Sequence, residues 1–484
     1  MKKIHLIMIL PAFLLLACAD WLNIQPALET RENEMFANES GFKNVLTGAY
    51  IRVAKPELYG RNMTMTLPEA MTGHWKAVDN SLLGYLKNFN FEEKACKDLL
   101  ETIWLEYYQT IANLNILLAS IDDRVDLFTN GNHALIKGEA LGLRAFLHLE
   151  VLRLWGDVPG NITPDAVAIP YVTKVTKDPN DLGSISYREF SRHLLADLDS
   201  AERLLANDPI TLYSNDILNA PGGLVGYEEN RPEDPFHYYR QSRFNYYAVK
   251  ATKARYHHWM GDPAVAASLA AEIIDAVNTS TGSSKFTLAD ERLAQSGKMT
   301  FPTEHIFAVH NSLAQQTVNT LFLQHSVGYT QDSVLLRDAY ERATQASDIR
   351  FRDNRLWQTR LIQIGSSYNF FKKYVVDDRT AVDVVPVIRL AEMYFIAIEN
   401  GDAGRFPAYR IARNLYNGLD AELTSPQAIL DRLEKEYRKE FYGEGQMFYF
   451  YKRHDYASFP WPENRAINTA QYKLPRPEAQ TLFE

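Results

Sequence analysis

The amino-acid sequence predicts a mostly α-helical protein, a scaffold of helix pairs of tetratricopeptide type with few short strands. Three observations support this fold class. Apolar residues recur three or four positions apart over successive segments, strand-like runs are rare, and long stretches with scattered Gly, Pro and Asn separate the helical segments. We therefore expect long loop-rich insertions that carry the ligand-binding face, because binding residues commonly lie on loops held by a rigid framework.

The first helices are predicted from their apolar stripes. A helix is expected at 41–54, followed by a longer one at 97–119 and its packing partner at 133–155. The third segment ends at Gly156, and Pro159 follows shortly after it. A glycine and then a proline commonly terminate a helix.

The later elements follow from the same periodicity. Further helices are predicted at 187–206, 242–260, 263–277, 386–399, 405–418, 426–442 and 445–453. Short strands are predicted at 304–310 and 374–378, where apolar residues cluster. The stretches expected to lack helices are 55–96, 207–241 and 280–370.

Residues 1–17 are predicted to be a lipoprotein signal peptide. Two lysines precede an apolar run that is too short to span a bilayer and has the layout of an export signal. The run ends in Leu-Leu-Ala-Cys, which resembles a bacterial lipobox, in which the thiol of Cys18 receives a diacylglycerol before cleavage. A plain secretory peptide with an incidental cysteine is the alternative.

After cleavage, the chain is expected to have two parts. Residues 18–40 would form a lipidated tether and a first packed segment, and residues 41–484 a single domain. Within that domain we expect an N-terminal helical part at about 41–210 and a C-terminal part at about 280–484.

The charge of the chain restricts its partners. The formal net charge is −9, and loss of Lys2 and Lys3 with the signal peptide leaves −11. An acidic surface disfavours nucleic acid, so none is expected, and it disfavours docking to anionic lipids through basic residues. Attachment to a membrane would therefore depend on the acyl chains at Cys18.

Few features of the sequence point to catalysis. Cys96 follows two glutamates, which raise a thiol pKa, so it is not expected to be a nucleophile. Asp178, Asn180, Gly183 and Glu189 have the spacing of a calcium loop, but a leucine occupies its fifth position. We predict neither a metal site nor a cofactor. A carboxylate pair for glycoside hydrolysis stays an alternative, although no spacing singles one out.

Several motifs occur together in an order typical of one family. The run GLRAFLHLEVLRLWGDVP (142–159) resembles the hallmark helix and exit loop of the SusD/RagB family of outer-membrane nutrient-binding lipoproteins. Segments similar to other family motifs follow the same order, at 41–50, 103–121, 387–400, 436–455 and 472–480. The resemblance implies a cell outer-membrane location facing the exterior, and a SusC-type TonB-dependent transporter as partner.

Charged residues within these motifs are interpreted as structural. Arg389 and Glu392 lie among apolar residues, and Arg144 is expected to reach a carboxylate or a helix end. Buried charges persist only when they are paired and hydrogen-bonded.

Three loop segments supply candidate ligand-binding residues, because sugars stack on aromatic rings and bond to short polar side chains. The alternative for Trp75 is a role in the core. The candidates are His74, Trp75, Asp79, Asn80 and Tyr85 in the first segment, Tyr238 and Arg240 beside Arg231 in the second, and Gln324, His325 and Tyr329 in the third.

Two classes of function are therefore weighed. The first is a receptor that captures an oligosaccharide, or alternatively a peptide, and passes it to the transporter. The second is a surface-tethered glycosidase. The missing catalytic motifs and the family resemblance favour the non-enzymatic receptor; a structural partner of the transporter without its own ligand is a third alternative.

Overall fold

The computed structural model describes residues 33–176, 178–223, 230–279, 281–324, 328–363, 366–375, 382–416, 423 and 425–481. The predicted signal peptide, Cys18 and His325 lie outside the described residues. The chain is mostly helical, which confirms the predicted fold class.

Helices of eight or more residues make up the scaffold. They are α1 (Glu39–Ala54), α2 (Lys94–Ile121), α3 (Asn132–Trp155), α4 (Tyr187–Leu204), α5 (Tyr246–Met260), α6 (Pro263–Ile274), α7 (Leu390–Glu399), α8 (Pro426–Glu440) and α9 (Gln446–Arg453). Shorter α-helices are Leu67–Thr72, Leu82–Lys87, Pro209–Leu212, Asn215–Leu218, Glu291–Gln295, Ala314–Val318, Ser333–Ala339, Phe406–Ala412 and Glu478–Thr481.

Each scaffold helix packs against the next one along the chain, from α1 through α9. Local signals in the sequence set several of their ends. Ser186 and Glu189 form a reciprocal capping box at the start of α4, and α3 ends at Gly156 as predicted. Packing between successive helices is what the helix-pair prediction implied.

Three two-stranded antiparallel sheets accompany the helices in the described part of the chain. Strands β1 (His305–His310) and β4 (Val384–Arg389) pair, β2 (Trp357–Gln363) pairs with β3 (Ser366–Phe371), and β5 (Ser458–Phe459) pairs with β6 (Arg465–Ala466).

Three predictions of secondary structure need correction. Residues 386–389 form part of β4 and not of a helix, because the run contains β-branched residues and Pro386 and finds β1 as a partner. Tyr374 and Val375 lie outside the strands, and residues 376–378 are outside the described residues. The stretches 55–96, 207–241 and 280–370 were predicted to lack helices, but short helices such as Leu67–Thr72, Pro209–Leu212 and Ser333–Ala339 form within them, and the β2–β3 hairpin lies within the third stretch.

Helix α3 lies at the centre of the fold and is buried nearly all round. Its Arg144 makes a two-pronged ion pair with Asp197 on α4, at 2.7 and 2.8 Å, and donates to the side-chain oxygen of Asn115 on α2 at 2.8 Å. The predicted carboxylate partner is thereby confirmed, and one guanidinium group connects three helices.

A second buried ion cluster holds the end of β4. The Arg389 guanidinium contacts carboxylates of Glu304, Glu440 and Glu444 at 2.8–2.9 Å, and Arg413 contacts Glu304 and Glu440. The interpretation of Arg389 as a structural residue is confirmed.

Glu392 is paired elsewhere, with Arg255 on α5, at 2.7 and 2.8 Å. Buried apolar residues from Phe36 to Leu474 form one contiguous core around these ion pairs. Among the described helices, none is long and apolar enough to cross a bilayer.

Candidate functional site

A cleft with a volume of about 140 Å³ lies where the first candidate segment meets the chain near its C-terminus. Four parts of the chain contribute to its wall. The lining residues are Thr72, Gly73, His74, Trp75, Lys76, Lys87, Gln331, Leu335, Phe459, Trp461, Pro462, Glu463 and Arg465.

Gly73 forms the bend that brings the first segment into the cleft. It ends the helix Leu67–Thr72 with a φ of 72°, a left-handed conformation that glycine adopts without strain. A Cβ atom at this position would lie 3.1 Å from the guanidinium of Arg465. Both the backbone conformation and the close approach of Arg465 therefore require glycine here.

His74 is buried in the wall of the cleft and is neutral. The hydroxyl of Tyr451 donates to Glu434 at 2.7 Å, so it accepts from Nε2 of His74, which lies 3.2 Å away. Burial lowers the pKa of His74 well below its ordinary value. Its ring also packs edge-on against Trp461, with ring centroids 5.3 Å apart.

Trp75 is only 3 % exposed, which corrects its interpretation as an open stacking platform. Its ring stacks on Tyr329 with centroids 4.7 Å apart and packs against Trp357 and Phe371. These rings leave no free indole face for a sugar, so Trp75 has the core role that was its alternative.

The indole nitrogen of Trp75 donates to the buried carboxylate of Glu69 at 2.6 Å, and the backbone N–H of Gly445 donates to the same side chain at 2.8 Å. Burial nevertheless raises the pKa of Glu69 from 4.5 to about 7. The folded protein therefore binds a proton at the Glu69 carboxyl more tightly than the unfolded chain does. The contribution of Glu69 to stability should accordingly fall as the pH rises from 4.5 to about 7.

The opposite wall is the β5–β6 hairpin. Phe459 pairs with Arg465 in the ladder, and the turn between them carries Trp461, whose indole nitrogen donates to Asp338 at 2.9 Å. The Arg465 guanidinium donates to two backbone carbonyls, that of Met71 at 2.6 Å and that of Lys87. The hairpin is thereby joined to the ends of the two short helices across the cleft.

The remaining candidates of the first segment lie outside the cleft lining. Asp79 and Asn80 are exposed, and Tyr85 is half-buried against the core. The segment as a whole borders the cleft, but its polar tip does not line it.

The second candidate group is structural, which is a further correction. Arg240 is fully buried, where it pairs with Asp208 at 2.8 Å and Glu139 at 2.5 Å. Tyr238 is buried and its hydroxyl donates to the carbonyl of Pro232 at 3.0 Å. Their charges and hydroxyls are used inside the fold, and neither residue lines the cleft.

The third group is divided. Tyr329 is buried against Trp75 and donates to the carbonyl of Thr66 at 3.2 Å, so it supports the wall and does not form a rim. Gln324 is exposed and lies away from the cleft lining.

Sequence reasoning missed the hairpin that completes the cleft. The run Pro460-Trp461-Pro462, followed by Arg465, was the available signal, since a tryptophan between two prolines is typical of a structured turn and not of a helix. Nothing in the sequence indicated that this run would lie beside residues 73–76.

Two expectations about reactive groups can be compared with the structure. Burial, aided by Glu93, raises the pKa of Cys96 to about 11, as its expected lack of nucleophilicity requires. Glu189, the last position of the calcium-like spacing, accepts hydrogen bonds from the backbone N–H and the hydroxyl of Ser186.

Comparison with known proteins agrees with this architecture. Residues 20–216 match a SusD-like family model described as "Starch-binding associating with outer membrane". No curated protein sequence matches the chain. The resemblance predicted from the motifs is confirmed.

Solved structures extend the likeness to most of the chain. A SusD superfamily protein from Bacteroides thetaiotaomicron VPI-5482 has a TM-score of 0.71 at 18% identity, over 92% of this chain and 97% of its own. A SusD-like carbohydrate binding protein from Bacteroides vulgatus ATCC 8482 has a TM-score of 0.67 at 16% identity, over 92% and 96%. A laminarin binding SusD-like protein has a TM-score of 0.63 at 16% identity, over 92% and 98%. Two of these three descriptions name binding, of carbohydrate and of laminarin.

Proposed function

We propose that this chain, which carries the SusD-like family signature over residues 20–216 and the SusD-like fold along most of its length, captures an oligosaccharide at the cell surface and passes it to a SusC-type TonB-dependent transporter. The cleft between Gly73–Lys76 and the β5–β6 hairpin is the proposed binding site. The single observation that supports the proposal is the position of this cleft. It borders the segment at 73–85, which the sequence had indicated as a sugar-binding loop.

The lining of the cleft suits a sugar. Leu335, Pro462 and Trp461 offer apolar surface to the C–H groups of a ring, while Lys76, Lys87 and Glu463 offer groups for its hydroxyls. Its volume of about 140 Å³ is small, so we expect it to hold one sugar unit of a longer chain.

A bulky residue on the wall of the cleft should block binding. Leu335 lines the cleft and is half-buried, so Leu335→Trp is expected to lower glycan affinity about tenfold or more. Titration calorimetry against a panel of neutral and acidic oligosaccharides measures this effect. The neighbouring Val334 is 66% exposed and does not line the cleft, so Val334→Trp is the matched control and should bind as the wild type does.

Equal affinities for the two variants would place the site elsewhere. The glycosidase alternative is tested in the same samples by chromatography of the glycans after incubation. Products that disappear when one carboxylate is changed would contradict the receptor proposal. Binding of peptides and not of glycans would favour the peptide-receptor alternative.

Attachment to the outer membrane is proposed to depend on Cys18. Cys18→Ala should yield protein without lipid that leaves the membrane fraction, because the acyl chains are the proposed anchor. Fractionation of cells fed with labelled fatty acid measures both properties. A variant that stays in the membrane and still incorporates label would contradict the lipobox interpretation, and Cys96→Ala, at the buried second cysteine, is the control.

A further inference from the structure

We propose that the glycan captured in the cleft is acidic, and that a carboxylate or sulfate group of the glycan binds between Arg465 and Lys87. This inference rests on the proposed function and adds the chemical class of the ligand. It depends on the charge of the cleft lining and on the hydrogen-bond partners of Arg465.

The cleft is positively charged on an acidic protein. Three cationic side chains, Lys76, Lys87 and Arg465, line it together with one carboxylate, Glu463, whereas the chain as a whole carries a net charge of −9. The neighbouring His74 is neutral and does not alter this balance. A local reversal of charge sign in a concave site attracts ligands of the opposite charge.

Arg465 differs from the fully buried arginines of this protein. Arg144, Arg240 and Arg389 each make ion pairs with carboxylates within 2.9 Å. Arg465 is half-buried and donates only to backbone carbonyls. Within the part of the chain that the structure describes, no carboxylate oxygen lies within 4.0 Å of its nitrogens.

The surroundings of Arg465 favour an anionic ligand. Its guanidinium lies 5.5 Å from the ring centre of Phe89 and 5.0 Å from that of Phe459, where there is little water to screen its charge. A partly desolvated cation without a counter-ion is costly, so an anion that enters the cleft gains more there than at an exposed arginine. The fixed planar fork of the guanidinium also suits a carboxylate or sulfate.

Lys87 and Lys76 would complete the site. Lys87 ends the helix Leu82–Lys87, and its carbonyl accepts from Arg465, so the Arg465 guanidinium reaches across the cleft to the backbone of Lys87. Among the described residues its ammonium group has no ion-pair partner within 4.0 Å. Lys76 is 3.5 Å from Asp332, but both side chains are largely exposed, so this pair is weak and can yield to a ligand.

The apolar part of the lining favours a glycan over a free inorganic anion. Leu335, Pro462 and Trp461 would contact a sugar ring while the charged group reaches the cations. Inorganic sulfate could use only the cations, and we therefore expect it to bind more weakly than an acidic sugar.

The test compares oligosaccharides that differ only in charge. An oligogalacturonate and the neutral galacto-oligosaccharide of the same length form one pair, and a sulfated glycan and its desulfated form make the second. Titration calorimetry should give at least about tenfold higher affinity for one of the acidic members than for its neutral counterpart. That preference should weaken as ionic strength rises, because salt screens the cations.

Variants test whether the preference for acidic over neutral glycans arises in the cleft. Lys87→Gln should reduce affinity for the acidic glycan about threefold to tenfold and affinity for the neutral glycan less, because glutamine keeps a hydrogen-bond donor for a sugar hydroxyl but loses the charge. Arg465→Gln should remove most of the preference, and Arg465→Lys should restore part of it. Lys298→Gln, an exposed lysine outside the cleft, is the control. A thermal melt of each variant shows that it is folded.

The outcomes separate this inference from the proposed function. Equal binding of charged and neutral partners, or a preference that survives Lys87→Gln and Arg465→Gln, would overturn the inference while glycan capture stands. Inorganic sulfate that binds as tightly as the acidic glycan would overturn it as well. Binding of acidic peptides alone, or of no glycan at all, would contradict both.

Discussion

Replacing Trp75 with alanine is expected to lower the free energy of unfolding by about 3–5 kcal/mol, the usual cost of truncating a large buried aromatic side chain. The indole lies among Tyr329, Trp357 and Phe371, which cannot close the space it leaves without moving together. The change also removes the hydrogen bond to Glu69, whose buried carboxyl would lose one of its donors. Denaturant unfolding followed by tryptophan fluorescence or circular dichroism measures the effect.

Two further variants separate the causes. Trp75→Phe keeps an aromatic ring but removes the indole N–H, so it should be less destabilised than the alanine variant. Val78, three residues along, is 47% exposed, and Val78→Ala should leave stability nearly unchanged. An unchanged denaturation midpoint in Trp75→Ala, together with lost glycan affinity, would contradict the core role and restore the stacking platform.

Replacing Arg389 with methionine is expected to destabilise the protein by about 3–5 kcal/mol, because it leaves buried carboxylates without their main counter-charge. Arg389 is 1% exposed and bridges Glu304 to Glu440 and Glu444, which lie about 140 residues later in the chain and four residues apart. Its loss therefore removes the ion pairs that join the end of β4 to the segments carrying these three glutamates. Thermal and urea denaturation at neutral pH measure the change.

The exposed pair Arg188–Asp165 provides the matched control, since its side chains are 65% and 84% exposed at a distance of 3.0 Å. Arg188→Met should cost about 0–1 kcal/mol, as exposed ion pairs generally do. Similar losses of stability in the two variants would contradict the structural role of the buried cluster.

The same cluster predicts a pH dependence. Burial alone would raise the pKa of Glu440, but Arg413 and Arg389 hold it well below its ordinary value of 4.5. Because the folded-state pKa is depressed, the stabilisation is present above the ordinary value and is lost as the pH falls below it. Arg389→Met should lose part of this acid sensitivity.

The periodicity of apolar residues in the sequence was sufficient to predict the helices of the scaffold. The predicted segments at 97–119 and 133–155 correspond to Lys94–Ile121 and Asn132–Trp155, because apolar residues recur three or four positions apart over long runs and Gly156 ends the second run. The motifs also carried the family resemblance, and of the two partners expected for Arg144, a carboxylate or a helix end, the carboxylate is the one it contacts. These are properties that residues a few positions apart along one helix can specify.

The site depended on contacts between distant residues, which no local pattern contains. Trp75 and Arg240 are of residue types that commonly bind ligands, yet they are buried against their partners Tyr329 and Asp208. The β4 strand replaced the first four residues of the helix predicted at 386–399 because β1, about 80 residues earlier, offered a backbone to pair with.

The sequence by itself determined the helical class, the order of the scaffold helices and the loop segment that borders the cleft. Only the tertiary structure decided which face of that segment is buried and that Arg465 lies beside Gly73, some 390 residues earlier in the chain. The physical reason is that helix formation follows from neighbouring residues, whereas burial and charge pairing depend on which surfaces the folded chain brings together.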